Sequence, residues 1–240
     1  MYLGGVLAAA IEALLPGLCP HCGRPLPGED RGLCSGCWSR IIPLAGAACP
    51  RCGVPVEDPL EPCLGCTRKP PPQQATLIWG EHNGVLRTAI LSLKHGGRDD
   101  LAPPLGARLA AAVAVLPWAE TVDTVSFVPS HSLRRFRRPW PAAELLARAV
   151  ANGLERPCVP LLRRHGLGRQ TGRSRVRRLA LPRRSFSATA RANQRHILLV
   201  DDVATTGSTL RRAAETLRRV GAETVFCAAL AHAPDPRRFS

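Results

Sequence analysis

The sequence predicts an α/β protein with a mostly parallel sheet, preceded by a small cysteine-rich module. Residues 75–232 alternate short apolar runs with amphipathic stretches, which is the pattern of strands and helices around a mostly parallel sheet. Eight of the ten cysteines lie within the first 66 residues, and this clustering sets the region apart. A chain of 240 residues is long enough for one good core plus such an accessory module.

The first residues of the chain predict a helix rather than a targeting signal. Residues 1–18 are apolar, but they lack a basic start and contain Glu12, so we expect a short N-terminal helix packed on the body. No stretch approaches the roughly 20 apolar residues that a membrane-spanning helix needs. These features predict a cytoplasmic protein without a membrane span.

The clustered cysteines form four C-x-x-C pairs that belong to an internal repeat. The string C-P-H-C-G-R-P recurs as C-P-R-C-G-V-P, and C-S-G-C recurs as C-L-G-C. Two such pairs commonly supply the four thiolates of a tetrahedral zinc site. The repeat therefore predicts two zinc ribbons over 19–69, each with four cysteine ligands. The eight ligands are Cys19, Cys22, Cys34, Cys37, Cys49, Cys52, Cys63 and Cys66.

Alternatives to this arrangement remain open. The cysteines could form a disulfide scaffold, although the missing secretory signal and the repeated spacing favour zinc. The pairs could also combine in an interleaved order, the first with the third and the second with the fourth. Gly23 and Gly53 stand where a knuckle turn benefits from positive φ. We expect His21 to be exposed rather than a ligand, and Cys158 and Cys227 to be inert core residues.

A proline-rich linker over 69–74 predicts that the cysteine-rich module and the rest of the chain are separable. After this linker, predicted strands and helices alternate. The predicted strands are Thr76–Gly80, Thr124–Val128, Cys158–Leu162, Ile197–Val200 and Thr224–Leu230. The predicted helices are one that follows an Asn83 cap, then 101–115, Pro141–Val150 and 209–220. The segment 163–194 is too long and too polar for a simple connection, which is typical of an active-site lid.

Residues 197–209 carry the most specific functional signal. Four apolar residues predict a buried strand, and Asp201 and Asp202 follow at its C-terminal end, where open α/β sheets bind ligands. A loop of small and hydroxyl-bearing residues around Gly207 then leads into a helix. The N–H groups of a helix N-terminus suit a phosphate, and paired carboxylates can accept hydrogen bonds from sugar hydroxyls. The segment therefore predicts a site for a phosphorylated ribose.

The formal net charge of +15 is concentrated in one part of the chain. Residues 130–196 contain 17 arginines against only Glu144 and Glu155, whereas the rest of the chain has equal numbers of basic and acidic side chains. Arginine suits phosphate, so this cluster predicts a polyphosphate or nucleic-acid partner. Aromatic residues are scarce in the cluster, so we expect it to contact the backbone of a nucleic acid rather than stack on its bases. The alternative is a solvated loop in an arginine-rich composition, since Lys69 and Lys94 are the only lysines.

The segment 197–209 resembles the loop of type I phosphoribosyltransferases that binds 5-phosphoribosyl 1-pyrophosphate (PRPP). Only Ala204 departs from the family pattern, which usually has a larger aliphatic residue there. The resemblance implies a sheet of the type I phosphoribosyltransferase kind, with Asp201 and Asp202 holding the ribose hydroxyls. It also implies that the 5′-phosphate lies against Ala204, Thr205, Thr206, Gly207, Ser208 and Thr209.

From about residue 19 to 230 the chain resembles the ComF family, in which a double zinc ribbon precedes a phosphoribosyltransferase-like domain, here 75–232. The matching features beyond the cysteines and the loop are Leu93-Lys94-His95, Val128-Pro129, Arg134, Arg135, Arg138, Gln170 and Phe186. The resemblance implies two structural Zn²⁺ sites, Mg²⁺ with PRPP, and a role in natural competence with imported single-stranded DNA and competence proteins as partners. The resemblance also suggests residues that contact the pyrophosphate or act in the lid. These are Lys94, Arg98, Pro129, Ser130, His131, Arg138 and Gln170.

Two departures from the ComF pattern bear on catalysis. The family usually has Arg-Gly-Phe-Asn-Gln where residues 138–142 read Arg-Pro-Trp-Pro-Ala, and an Arg-Asn pair where this chain has Ala180 and Leu181. Polar groups that would contact a ligand are thereby lost, and no residue stands out as a general base. Two functions remain open: phosphoribosyl transfer to an unidentified acceptor, or a non-catalytic accessory protein that binds DNA or a partner and keeps a relic or sensory PRPP pocket.

Overall fold

The computed structural model describes residues 17–26, 32–44, 48–58, 60–130, 141–165 and 185–233. The predicted N-terminal helix, except for its last two residues, and most of the predicted lid lie outside these ranges. Within them, no helix is both long and apolar enough to cross a membrane.

A parallel four-stranded sheet forms the centre of the described fold. The strands in the described residues are β1 (Ala75–Glu81), β2 (Thr124–Phe127), β3 (Leu162–Arg164), β4 (Phe186–Ala188), β5 (His196–Ala204) and β6 (Thr224–His232). The central sheet has the order β1-β6-β5-β2, and all of its neighbours are parallel. The strands β3 and β4 form a separate antiparallel pair. The mostly parallel sheet predicted from the sequence is therefore confirmed.

Helices cover both faces of this sheet. The α-helices in the described residues are α1 (Ser35–Trp38), α2 (Leu64–Arg68), α3 (Gly84–His95), α4 (Ala102–Ala114), α5 (Ala142–Gly153) and α6 (Ser208–Arg219), of which α1 and α2 belong to the cysteine-rich region. One hydrophobic core joins α3, α4 and α5 to the first face of the sheet. A second core joins α6 and the β3–β4 pair to the opposite face. Because both faces are covered, β5 and β6 are almost continuously apolar, as expected for a buried parallel sheet.

Two strands differ from the sequence prediction. The prediction ended β5 at Val200, but its pairing with β6 continues through Asp201 and Val203 to Ala204, so both carboxylates belong to the strand. The strand predicted at Cys158–Leu162 is wrong in its bounds, because Cys158 forms only an isolated bridge with Val125 and β3 begins at Leu162. Pro160 has no N–H group to continue that pairing.

The proline-rich linker does not keep the cysteine-rich region apart from the sheet. Leu33 and Leu101 are both fully buried, and they belong to the same hydrophobic core as α3, α4 and α5. Farther along the chain, the Leu44 N–H donates to the Trp79 carbonyl oxygen at 2.8 Å, which covers the outer edge of β1. The expectation of two separable modules is therefore not met, because they share buried apolar surface.

Candidate functional site

The eight clustered cysteines form two groups of four. Within each group the Sγ atoms all lie within 4.8 Å of one another. The first group is Cys19, Cys22, Cys34 and Cys37, and the second is Cys49, Cys52, Cys63 and Cys66. The pairs therefore combine sequentially, and the interleaved order left open by the sequence is excluded. All ten cysteines are free of disulfide bonds, which excludes the disulfide scaffold.

The two groups repeat the same backbone geometry. Gly23 and Gly53 have φ values of +72° and +70°, as the knuckle turns require. The Gly23 N–H donates to the Cys19 carbonyl at 2.9 Å, and the Gly53 N–H donates to the Cys49 carbonyl at 2.8 Å. The sequence repeat is thus a structural repeat. We call the region around the first group, residues 17–40, the first ribbon, and the region 48–68 the second ribbon.

Each group has the chemistry of a zinc site. The Sγ atoms of Cys22 and Cys34 are 3.6 Å apart, close to the roughly 3.8 Å expected for thiolates that share one tetrahedral Zn²⁺. Burial raises the pKa of the Cys19 thiol, but backbone hydrogen bonds outweigh burial and lower that pKa to about 6. Burial and neighbouring thiols raise the pKa of Cys37, so a metal charge is needed to hold four thiolates together. The residues therefore fit two structural zinc ions.

A second candidate site lies where β5 ends and α6 begins. Gly207 is the N-cap of α6, with φ of +67° and no side-chain cap. The first N–H groups of a helix have no partner within that helix and can bind an anion, although here the Ser208 N–H donates to the Thr206 Oγ1 atom at 3.4 Å. The side chains of Thr205, Thr206 and Ser208 are exposed around this turn. The predicted phosphate loop is thus an open turn at a helix N-terminus.

The carboxylates at the end of β5 are closely connected to α3. The Lys94 Nζ atom, in the last turn of α3, lies 2.7 Å from the Asp202 Oδ1 atom. The Asp202 N–H donates to the Asp201 Oδ1 atom at 2.9 Å. Burial, together with the charge of Asp202, raises the pKa of Asp201 to about 8, although Lys94 and Arg164 act in the opposite direction. The surroundings thus favour protonation of Asp201, while Asp202 is paired with a lysine.

The structure places the remaining predicted contact residues in different surroundings. The Val128 N–H donates to the Val200 carbonyl at 3.0 Å, so Pro129 and Ser130 follow β2 at the same edge of the sheet as Asp201. Arg98 instead faces the first ribbon, where its guanidinium donates to the Leu18 carbonyl at 2.7 Å and pairs with Asp100. His131, Arg138 and Gln170 lie outside the described residues.

Two histidines that the sequence analysis did not select also lie at this edge. His82 follows β1 and His232 ends β6, and the His82 N–H donates to the His232 carbonyl at 2.8 Å. Burial lowers the pKa of His82, and the charges of Lys94 and Arg87 lower it further, against the opposing effect of Asp202. Their position at strand ends in a predicted parallel sheet was the available signal.

The described part of the arginine cluster is largely engaged in internal contacts. Arg148 pairs with Glu144 at 2.9 Å, and Arg156 donates to the Val122 carbonyl at 2.7 Å. Arg163 in β3 is exposed. Eleven of the 17 arginines lie outside the described residues, so the predicted DNA-binding surface stays a prediction.

Comparisons with known proteins match both parts of the chain to known families. Residues 10–68 match the double zinc ribbon domain family, and residues 142–240 match the phosphoribosyl transferase domain family. The chain is 32% identical over 223 residues to the DNA utilization protein YhgH of Salmonella typhimurium, covering 88% of this chain and 95% of that protein. It is 28% identical over 223 residues to Competence protein F of Haemophilus influenzae, covering 90% of this chain and 96% of that protein.

Part of the chain also aligns with solved structures. The glutamine PRPP amidotransferase of B. subtilis, complexed with ADP and GMP, aligns with 58% of this chain and 30% of its own, at a TM-score of 0.42 and 23% identity. The orotate phosphoribosyltransferase of Aeropyrum pernix aligns with 54% of this chain and 58% of its own, at a TM-score of 0.35 and 23% identity.

Proposed function

Since this chain belongs to the ComF family, in which one protein combines a double zinc ribbon with a phosphoribosyltransferase domain, we propose that it binds PRPP or a related ribose phosphate and acts in the handling of imported single-stranded DNA. The names of its relatives, which refer to DNA utilization and to competence, support the second part. The first part is supported by the site at the end of β5. The same family relationship supports a cytoplasmic protein with competence proteins as partners.

The observation that carries the ribose phosphate proposal is the meeting of a carboxyl pair and a helix N-terminus. Asp201 and Asp202 are among the last four residues of β5, and Gly207, the N-cap of α6, is five residues beyond Asp202. In a bound ribose phosphate, the carboxyl groups accept hydrogen bonds from adjacent ribose hydroxyls. The 5′-phosphate accepts hydrogen bonds from the N–H groups of residues 205–209 and from their hydroxyls.

Lys94 gives this site a cation that can change partners. Its ammonium group pairs with Asp202, and its side chain remains 24% exposed. When ribose hydroxyls donate to Asp202, they take over part of the role of Lys94. The ammonium group is then available for the pyrophosphate, beside Pro129 and Ser130 at the end of β2. Mg²⁺ bound to the pyrophosphate would neutralise further charge there, while the chain itself supplies positioning and electrostatic stabilisation.

Transfer of the phosphoribosyl group to an acceptor would require a group that removes the acceptor proton. His82 offers a neutral imidazole at the same edge of the sheet, because burial and nearby cations lower its pKa. It is the residue that we would test first as a general base. The acceptor itself is not identified by the residues at this edge.

The charge distribution favours a second function beside the first. The excess of 15 positive charges lies entirely within residues 130–196, which include the β3–β4 pair beside the ribose phosphate site. If these arginines form a surface, it would bind single-stranded DNA through the phosphates of the DNA. In this second function, PRPP is a regulatory ligand that binds the site rather than a substrate that is consumed there.

Calorimetry with magnesium-PRPP tests the proposal. Wild-type protein should bind, and Asp202→Asn should weaken binding by about 10- to 150-fold, because a charge-assisted hydrogen bond contributes roughly 1.5–3 kcal/mol. Asp58→Asn is the matched control, since Asp58 is exposed in the second ribbon. The absence of PRPP binding by wild type, or equal binding by both variants, would contradict the proposed site.

A further inference from the structure

Arg98 connects the first ribbon to the segment that carries Lys94. Its guanidinium donates to the Leu18 carbonyl at 2.7 Å and to the Gly32 carbonyl at 3.4 Å, just before the first and the second cysteine pair of the first group. The pair with Asp100 at 2.8 Å holds the guanidinium in place. Arg98 lies four residues after Lys94, beyond the turn that ends α3. A movement of the first ribbon therefore reaches this turn directly.

Apolar packing strengthens the same connection. Leu101, three residues after Arg98, is fully buried. It packs closely against Gly32, since a Cβ atom added at Gly32 would lie only 2.8 Å from a methyl group of Leu101. Leu33, next to Gly32, is also fully buried in the core that contains Leu93. Close-packed interiors transmit displacement rather than absorb it. The ribbon and the end of α3 therefore form one packed unit.

A third contact joins the zinc knuckle itself to α3. The Nδ1 atom of His21, which lies between Cys19 and Cys22, is 3.1 Å from the Thr88 hydroxyl. His21 is half-buried by this contact, although we expected it to be exposed. The helix that presents Lys94 is thus held by the first ribbon near its middle and just beyond its C-terminal end.

The second ribbon has a different position, although its cysteine group is nearly identical. It contacts the beginning of β1, where the Thr76 hydroxyl donates to the Arg51 carbonyl at 2.8 Å. A Cβ atom at Gly53 would lie 2.7 Å from the side chain of Ile78. The beginning of β1 is the end of the sheet opposite Glu81 and His82. Through these contacts, the second ribbon holds the opposite end of the sheet from Lys94.

We infer that zinc in the first ribbon, and not zinc in the second, sets the position of Lys94 and thereby the affinity of the ribose phosphate site. Loss of the first zinc releases Leu18 and Gly32 from Arg98, and the end of α3 loses its support. Lys94 is then no longer held at this edge of the sheet, so it contacts Asp202 less often and is also poorly placed for a bound pyrophosphate. The effect on ligand affinity rests on the proposed function, whereas the effect on Lys94 does not. By reciprocity, a ligand that engages Lys94 must strengthen zinc binding in the first ribbon.

The two lysines of the chain allow a direct test without any ligand. Lys69 is exposed, and Lys94 is paired, so an amine-acylating reagent with detection by mass spectrometry reports Lys94 against an internal reference. Cys22→Ser should raise the labelling rate of Lys94 relative to Lys69 by at least about fivefold, the lower end of the usual range for coupled sites. The matched variant of the second ribbon, Cys52→Ser, should leave the ratio unchanged.

A second pair of variants covers the case in which loss of a cysteine prevents folding. Arg98→Gln removes the connection while keeping all eight cysteines, and it should raise Lys94 labelling with two zinc ions still bound. Arg51→Gln is its control, since Arg51 makes the corresponding contact of the second ribbon, to the Gln74 carbonyl. Unchanged Lys94 labelling in Arg98→Gln, or equal increases in both members of either pair, would overturn the inference.

Zinc release in the presence of PRPP tests the reciprocal effect. A metal-sensitive dye should follow two zinc ions released by a thiol reagent, and PRPP should slow the release of one ion severalfold in wild type but not in Arg98→Gln. Slower release of both ions, or of the ion that Cys22→Ser retains, would contradict the coupling. If the labelling results are as expected and PRPP changes neither rate, the coupling stands and the proposed ligand is wrong.

Discussion

The Lys94 Nζ atom lies 2.7 Å from the Asp202 Oδ1 atom, and this ion pair joins the last turn of α3 to the end of β5. The carboxylate is one that the sequence assigns to a ribose, and the lysine is one that it assigns to a pyrophosphate. Their contact means that the site, in the described structure, satisfies its own charges. A ligand that binds Asp202 would have to replace this pair, and we expect Lys94 to be the group that moves.

Replacing Lys94 should distinguish ligands that carry a pyrophosphate from those that do not. Lys94→Gln should weaken magnesium-PRPP binding by about 10- to 150-fold, the effect of losing one charge-assisted hydrogen bond of roughly 1.5–3 kcal/mol. Ribose 5-phosphate lacks the pyrophosphate, so its affinity should change much less. Calorimetry with both ligands measures the difference. Equal losses for the two ligands would assign Lys94 to the ribose rather than to the pyrophosphate.

Asp201 should make the protein less stable as the pH rises. Its pKa is raised from 3.8 to about 8 in the folded chain, so between these values the folded state keeps a proton that the unfolded state has released. The contribution of this group to the free energy of unfolding therefore falls from pH 4 to pH 8. Asp201→Asn should flatten this decline and raise the relative stability at pH 8. Denaturant unfolding at several pH values checks the slope, with Asp58→Asn as the control.

Zinc analysis should find two Zn²⁺ ions per chain, and their removal should affect the whole fold. Because Leu33 of the first ribbon shares a core with Leu101, Cys22→Ser should lower the stability of the sheet domain as well as that of the ribbon. A loss of about 3 kcal/mol would lower the Tm by roughly 6–12 °C in a chain of this size. Calorimetric unfolding of the variant tests this. A normal Tm for the sheet domain would show that the modules are independent after all.

Single-stranded DNA should bind with a steep dependence on salt. Each neutralised phosphate contributes about −0.7 to the slope of log affinity against log salt, so four contacts give roughly −3. Changing Arg175, Arg177 and Arg178 together to Gln should flatten this slope by about 2 and weaken all sequences similarly.

The control for this experiment removes the same charge elsewhere. Arg24, Arg40 and Arg68 are exposed in the ribbons, and their joint replacement by Gln should leave the slope nearly unchanged. A flat slope in wild type would rule out the DNA surface. An unchanged slope in the triple variant at 175–178, with a loss of PRPP affinity, would assign these arginines to the ribose phosphate site.

The sequence predicted well those features of the fold that depend on residues close together in the chain. The spacing of the cysteines predicted both zinc groups, and the apolar runs with their following helices predicted the parallel sheet. The bounds of β5 were too short because carboxylates are rare inside strands, and only pairing with β6 continues the strand through Asp201. The bounds of β3 were wrong because an apolar run around Pro160 reads as a strand, although proline cannot continue the ladder.

The sequence by itself predicted the two candidate sites, because each depends on residues within a short segment. The first needs two cysteine pairs and a turn, and the second needs a strand end, a glycine and the start of a helix. The tertiary structure alone decided which distant residues meet at those sites. Arg98 binds the carbonyl of Leu18, 80 residues away, and Lys94 rather than Arg98 reaches Asp202. Such contacts depend on how helices pack on the sheet, and residue spacing along the chain carries no direct record of that packing.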